Sequence, residues 1–144
     1  MVREASSNDL CGLLELYLHL HEIQIPEDNE HLRDTWNQIL NNPNHHVIVY
    51  EEDGKIVSSC VCVIIPNLTR NVRPFALIEY VVTHEQYRNR GYAGQCLSYA
   101  RELATSSNCY KMMLVTGSKD PKTHHFYESC GYSRKDKTAY VQSL

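Results

Sequence analysis

The octapeptide Tyr87-Arg88-Asn89-Arg90-Gly91-Tyr92-Ala93-Gly94 follows the apolar run Ile78-Glu79-Tyr80-Val81-Val82-Thr83 and opens an amphipathic stretch. Read as strand, glycine turn and helix start, it leaves the first N–H groups of the helix without intrahelical acceptors. The positive end of the helix dipole lies behind them, which makes a seat for a phosphate or pyrophosphate. Spacing narrows the choice of loop. A nucleotide-hydrolysing loop needs Gly-Lys-Ser/Thr, but Gly91 is followed by Tyr92-Ala93-Gly94, so there is no lysine for a terminal phosphate and no hydroxyl for magnesium. The dinucleotide fingerprint G-x-G-x-x-G fails as well, because no glycine lies two residues before or after Gly91. What remains is R-x-x-G-x-A, with Arg88, Gly91 and Ala93 in the defining positions and a phosphate-bearing cofactor as the expected occupant. Gly91 lets the backbone approach the anion, Arg88 and Arg90 add charge, and the amides of Asn89 to Gly94 are the donors. For the hexapeptide alone, a tight turn with solvated arginines is the competing reading.

A second motif lies downstream, His125-Phe126-Tyr127-Glu128-Ser129-Cys130-Gly131-Tyr132. The pair resembles the coenzyme A pyrophosphate loop and the closing F-Y-E-x-x-G-F signature of the GNAT superfamily of acyl-CoA N-acyltransferases. That resemblance implies an α/β (α+β) GNAT fold, with a mixed central sheet of about seven strands and four helices splayed between strands 4 and 5, in one domain over residues 1–144. It also implies acetyl-CoA (coenzyme A) as co-substrate, no metal, and direct transfer of an acetyl group to a primary amine of a small molecule. Acylation of a protein or peptide amine and a non-catalytic acyl-CoA-binding module are the alternatives. Ile78-Glu79-Tyr80-Val81-Val82 and Asn108-Cys109-Tyr110-Lys111 are similar to stretches of glucosamine-6-phosphate N-acetyltransferases, which usually carry aspartate where this chain has Tyr80.

Acyl transfer needs a held donor, a deprotonated amine, a stabilised oxyanion and a proton for the leaving thiolate. Glu79 stands in an otherwise apolar strand, on the side of Phe75 and Leu77, where burying an unpaired carboxylate costs several kcal/mol. The resemblance favours it as general base for the amine, and an ion pair with Arg70 or Arg73 is the equal alternative. A strand bulge after Tyr80, as in resembling proteins, would free backbone N–H groups near Val81 and Val82 for the thioester oxygen, and Thr83 beside them is a further candidate cofactor contact. Tyr127 occupies the position that in resembling enzymes protonates the thiolate; a packing aromatic beside Phe126 is its structural reading. Asp120 and Thr123 replace the asparagine and alanine common in the family, with Asp120 still a candidate cofactor contact. For the acceptor, Tyr80 is the variant position, and Arg70 and Arg73 offer bidentate contacts to a phosphate or carboxylate.

The elements that must position these residues follow from periodicity. Val2 to Ala5 reads as a short strand. Leu10, Leu13, Leu14, Tyr17 and Leu18 form the stripe of a first helix capped by Ser7 or Asn8, and Leu32, Trp36, Ile39 and Leu40 that of a second from Asp28 to about Asn41. His46 to Tyr50 and Lys55 to Ile65 are β-branched runs joined through Asp53-Gly54, hence an antiparallel pair. A polar connection from Pro66 to Pro74 leads to the Glu79 strand. Ala93, Cys96, Leu97, Ala100, Leu103 and Ala104 then give the motif helix one apolar face. Tyr110 to Thr116 reads as a buried parallel strand, Pro121 opens a short helix, and Ser133 to Val141 is expected as a closing hairpin.

Composition sets the remaining bounds. The 144 residues are 42% hydrophobic, enough for one core-bearing domain. A net charge of −3 offers no electrostatic footprint for nucleic acid. No membrane span or signal sequence is expected, so the expected location is cytoplasmic. The six cysteines lack a C-x-x-C and the eight histidines lack H-E-x-x-H, so reduced core thiols are expected and a metal is not. The resemblance implies a homodimer through the last strand.

Overall fold

The computed structural model describes residues 1–144. Its elements run β1 (Val2–Glu4), α1 (Leu10–Tyr17), α2 (Glu30–Asn41), β2 (His45–Glu52), β3 (Lys55–Ile65), α3 (Thr69–Val72), β4 (Phe75–Thr83), α4 (Tyr92–Ser106), β5 (Met112–Leu114) and α5 (Pro121–Ser129), with 3-10 turns at Ser7–Asp9 and Glu85–Tyr87. One mixed sheet carries the order β1-β2-β3-β4-β5. The first four strands are antiparallel to their neighbours, while β5 pairs parallel to β4, as the helical crossover through α4 requires.

The sheet is covered on both faces. On one, Cys96, Leu97, Ala100 and Ala104 of α4 pack on Ile48, Cys60, Cys62, Ile64, Ala76 and Ile78. On the other, Leu13 and Leu16 of α1 and Trp36 of α2 pack on Val47, Val49, Ile56, Val61 and Val82. The central strand β3 is therefore buried without a break from Ile56 to Cys62. A charged clasp fixes the start of α1 to the sheet: Arg3 donates to both oxygens of Asp9, at 2.7 and 3.0 Å, and also to Glu51.

Two features of β4 shape the site. Val61 faces Glu79 while Ser59 faces Val82, so the single residue Cys60 of β3 stands against two of β4, Tyr80 and Val81. The extra residue is a bulge at Tyr80, whose φ of 53° is left-handed. Before the bulge, Ala76 and Ile78 enter the α4-side core, which places Phe75, Leu77 and Glu79 on the α1/α2 side; after it, Val82 enters the α1/α2-side core and Val81 packs toward α4. The second feature is the short β5, which pairs with β4 only from Ala76 to Ile78. From Glu79 onward β4 has lost that neighbour, and the sheet is open along this side.

The architecture departs from expectation at its end. Five strands form rather than about seven, and there are five helices rather than four, the additional one being the single turn α3 in the Pro66 to Pro74 connection. Ser133 to Val141 does not form a closing hairpin: residues 133–144 hold no strand and make no backbone–backbone hydrogen bond. Ser133-Arg134-Lys135-Asp136-Lys137 has no apolar face to bury, and an isolated two-stranded ribbon is marginal in water.

Candidate active site

The turn before α4 keeps its donors free. Gly91 is the N-cap with φ 82°, Asn89 is left-handed at 62°, and the first intrahelical bond is Gln95 N–H to Gly91 C=O at 3.0 Å. No backbone N–H from Arg88 to Gly94 donates within the chain. An ideal Cβ built on Gly91 or Gly94 would meet no atom within 4 Å, so the space in front of these amides is open. The two arginines are held by the protein: Arg88 Nε donates to Thr83 O at 3.1 Å, and Arg90 Nη2 donates to Gln86 O at 3.3 Å with its guanidinium over the Tyr87 ring.

The strut that fixes this turn has no signature in sequence. Tyr92 stacks on Tyr50 at 4.0 Å between centroids and 13° between planes, and its hydroxyl donates to Glu52 Oε1 at 2.6 Å. Glu52 Oε2 is buried without a hydrogen bond, and the guanidinium of Arg90 stands 3.6 Å from it. That hydrogen bond to Glu52 raises the Tyr92 phenol above its ordinary range. The end of β2 thus holds the first residue of α4, across forty residues of sequence.

Register also sorts the amides of β4. His84 N–H donates to Val57 O, so by alternation Val82 turns its N–H to β3, while Val81 and Thr83 turn theirs to the side from which β5 is missing. The side chain of Thr83 meets Ser58 Oγ at 2.8 Å, and Ser58 Oγ also donates to Val82 O.

On the α1/α2 side, Glu79 is half-buried and forms no ion pair. Neither arginine offered as its partner is near enough. Arg73 donates from Nε to Asn108 O at 3.1 Å and from Nη2 to Cys109 O at 3.0 Å, tying α3 to the approach to β5. Arg70, left-handed at φ 55°, lies over the Tyr110 ring. Tyr80 is pushed outward by the bulge, 55% exposed, with Tyr17 of α1 at 6.2 Å.

Tyr127 lies on α5 and packs against the α4-side core, with Phe126 at 5.2 Å and Tyr132 edge-on at 6.2 Å. Burial pushes its phenol above the ordinary value, so it is a protonated donor at neutral pH. Asp120 is the N-cap of α5, accepting Lys122 N–H at 3.0 Å, and Ser118 Oγ donates to Thr123 Oγ1 at 3.1 Å. Glu79 and Tyr127 thus belong to opposite faces of the sheet, and the opening beside β4 lies between those faces. Burial raises the thiols of Cys62 and Cys96 to about 12, so neither supplies a thiolate nucleophile. No three or more His, Cys, Asp and Glu side chains gather in a group able to hold a metal ion, and no helix is long and apolar enough to cross a membrane.

Comparison with known proteins agrees with this geometry. Residues 12–132 match the model of the Acetyltransferase (GNAT) family. The glucosamine 6-phosphate N-acetyltransferase of Trypanosoma brucei brucei is 31% identical over 91 residues, 63% of this chain and 60% of that protein, so the match spans about three-fifths of the curated relative's length. Among solved structures, the "Putative acetyltransferase from Agrobacterium tumefaciens str. C58" superposes with a TM-score of 0.91 at 40% identity over 99% of each chain. The glucosamine-6-phosphate N-acetyltransferase from Arabidopsis thaliana superposes at 0.86 with 24% identity, over 99% of this chain and 97% of that one, a likeness of fold alone. With its free amide turn, its bulged fourth strand and a family match over most of its length, the chain belongs to the GNAT family of acyl-CoA-dependent N-acetyltransferases.

Proposed function

We propose that the protein transfers an acetyl group from acetyl-CoA directly to the primary amine of a small molecule. The carrying observation is the run of unpartnered N–H groups from Arg88 to Gly94 in front of α4, which fits the pyrophosphate of coenzyme A. Arg88 and Arg90 stand beside it as additional cations. The pantetheine arm enters the opening left where β5 stops; the N–H of Val81, next to the bulge, meets the thioester oxygen, and that of Thr83, roughly 7 Å farther along the strand, is left for an amide of the arm. Val82 and the Asp120 cap shape this channel without donating to it, their polar groups being spent on β3 and on Lys122.

The amine approaches from the α1/α2 side. Glu79 takes a proton from the ammonium, directly or through water, and the nitrogen lone pair attacks the thioester carbon. The C–N bond forms, the C–S bond breaks, and the thiolate takes the proton of Tyr127 from the other face of the sheet. The nitrogen sheds its second proton to solvent as the intermediate collapses, and Glu79 passes its own there too; one of the two restores Tyr127, so each turnover releases one proton net. Ordinary phenol and thiol pKa values are roughly 10 and 8.5, and burial raises that of Tyr127 further, so the transfer from Tyr127 to the thiolate runs slightly uphill. The six free cysteines fit a reducing compartment such as the cytoplasm. A homodimer is supported by the tail, where Tyr140 and Val141 are 94% and 79% exposed on a segment without backbone partners, while β5 remains a sheet edge.

Thiol release from acetyl-CoA across a panel of primary amines, with Tyr127→Phe in parallel, tests the reading. Turnover that falls at least tenfold in the variant supports it; equal turnover removes Tyr127 from the chemistry.

A further inference from the structure

Resting on that reading, in which the amine is received at Glu79, we infer that the acceptor is an amine whose remaining body is apolar or aromatic and carries no anionic group near the nitrogen. Glu79 is a carboxylate with no cation at ion-pair distance, so the face it stands on is negative and unneutralised. Three cations gather at the Phe75 end of β4. Arg73 is bound to two carbonyl oxygens, Arg70 covers Tyr110, and the ammonium of Lys111 lies 5.1 Å from the centre of the Phe75 ring. Phe75 is four residues from Glu79, roughly 13 Å along a strand, farther than a compact sugar phosphate reaches from its amine. In the other direction Lys55 and Arg88 lie past Thr83, where the cofactor turn begins, and Lys55 is 3.3 Å from His84.

What the site does offer is aromatic and acidic. The bulge turns the Tyr80 ring outward beside Tyr17, a surface for the body of an organic cation. The segment from Leu18 to Asn29 leaves α1 at Tyr17 and contains Glu22 and Glu27, which form no ion pair, with no lysine or arginine; its third acid, Asp28, is paired with Arg33 at 2.7 Å. It also exposes Ile23 and Ile25, at 97% and 45%. An ammonium is welcomed on such a surface, an apolar body is covered by it, and a carboxylate or phosphate is repelled.

Pairs of amines that differ by one anionic group test the inference: phenethylamine against phenylalanine, tryptamine against tryptophan, and glucosamine against glucosamine 6-phosphate. The expected result is a preference of at least tenfold in kcat/KM for the member without the anion in every pair. Tyr80→Ala should raise KM for phenethylamine at least threefold more than for propylamine. The same preference should appear in calorimetric titration of the CoA-loaded protein, which reads recognition even where turnover is slow. Equal or better use of the anionic members overturns the inference, as does failure of both members of every pair to bind the CoA-loaded protein. Binding with the expected preference but no thiol release from any amine would instead count against the transferase reading alone.

Discussion

Gly94 separates what the fold wants from what the cofactor wants. It is the third residue of α4, it has no positive φ, and an added Cβ meets nothing within 4 Å. On helix propensity alone, Gly94→Ala should stabilise the free protein by about 0.5–1 kcal/mol. For a chain of this length the unfolding entropy is about 0.3 kcal/mol/K, so the melting temperature should rise by roughly 2–3 °C. If the Gly94 amide faces the pyrophosphate, the new methyl stands in the approach, and losing one charge-assisted hydrogen bond raises Kd for acetyl-CoA about tenfold or more. At a cofactor concentration near 100 times the wild-type Kd, ligand stabilisation falls from about 2.7 to about 1.4 kcal/mol. That deficit exceeds the helix gain. Thermal unfolding with and without acetyl-CoA should therefore show the variant above wild type when free and below it when loaded. Parallel shifts in both conditions would take the Gly94 amide off the cofactor, and a lower melting temperature in the free variant would refute the helix argument. Gly91→Ala is the control, because φ 82° makes alanine cost about 1–2 kcal/mol in the free protein too.

Further outcomes follow from other parts of the structure. The Arg3 guanidinium holds the Asp9 carboxyl down at about 2, below its ordinary 3.8, so the stability it contributes is present above about pH 4 and lost as pH falls through 2. Acid unfolding should show that loss, about 2 kcal/mol, and Asp9→Asn should flatten it. Arg73→Ala should cost about 1–3 kcal/mol in chemical denaturation, through two lost carbonyl contacts, and leave KM for an amine acceptor within twofold. A chain ended after Tyr132 should be monomeric by light scattering where the full chain is dimeric; a full chain that is monomeric at micromolar concentration refutes the pairing role of the tail.

Local features were legible in the sequence where one stretch of chain makes them. The amide turn is such a case, because R-x-x-G-x-A sets its own φ angles and its own orphan donors. The stripes of α1, α2 and α4 are others, since a helix face is written every third and fourth residue. Period two puts Glu79 on the Phe75 and Leu77 side, where the structure has it, but of its two equal readings the ion pair is absent, because carbonyls of Asn108 and Cys109 hold Arg73 and that loop turns at Asn108 with φ 62°. The Glu52 strut under Tyr92 had no local sign, for it joins two strand and helix ends only through the sheet. The expected closing hairpin over Ser133 to Val141 does not form, because residues 133–137 lack the apolar face that a ribbon must bury.

The bulge at Tyr80 has an evolutionary consequence. Because it reverses the parity of β4, the residues up to Glu79 and those from Val81 onward answer to different layers of the molecule. Exchanges at Leu77 or Tyr80 can remodel the α1/α2 side while the free amides of Val81 and Thr83 stay in register, so on the proposed function descendants of this scaffold can change clientele without relearning how to hold the donor. Deleting one residue between Glu79 and Val81 has the opposite character, since it would swap inside for outside along the rest of the strand. Natural variation in this strand should accordingly be rich in replacements and nearly empty of insertions and deletions.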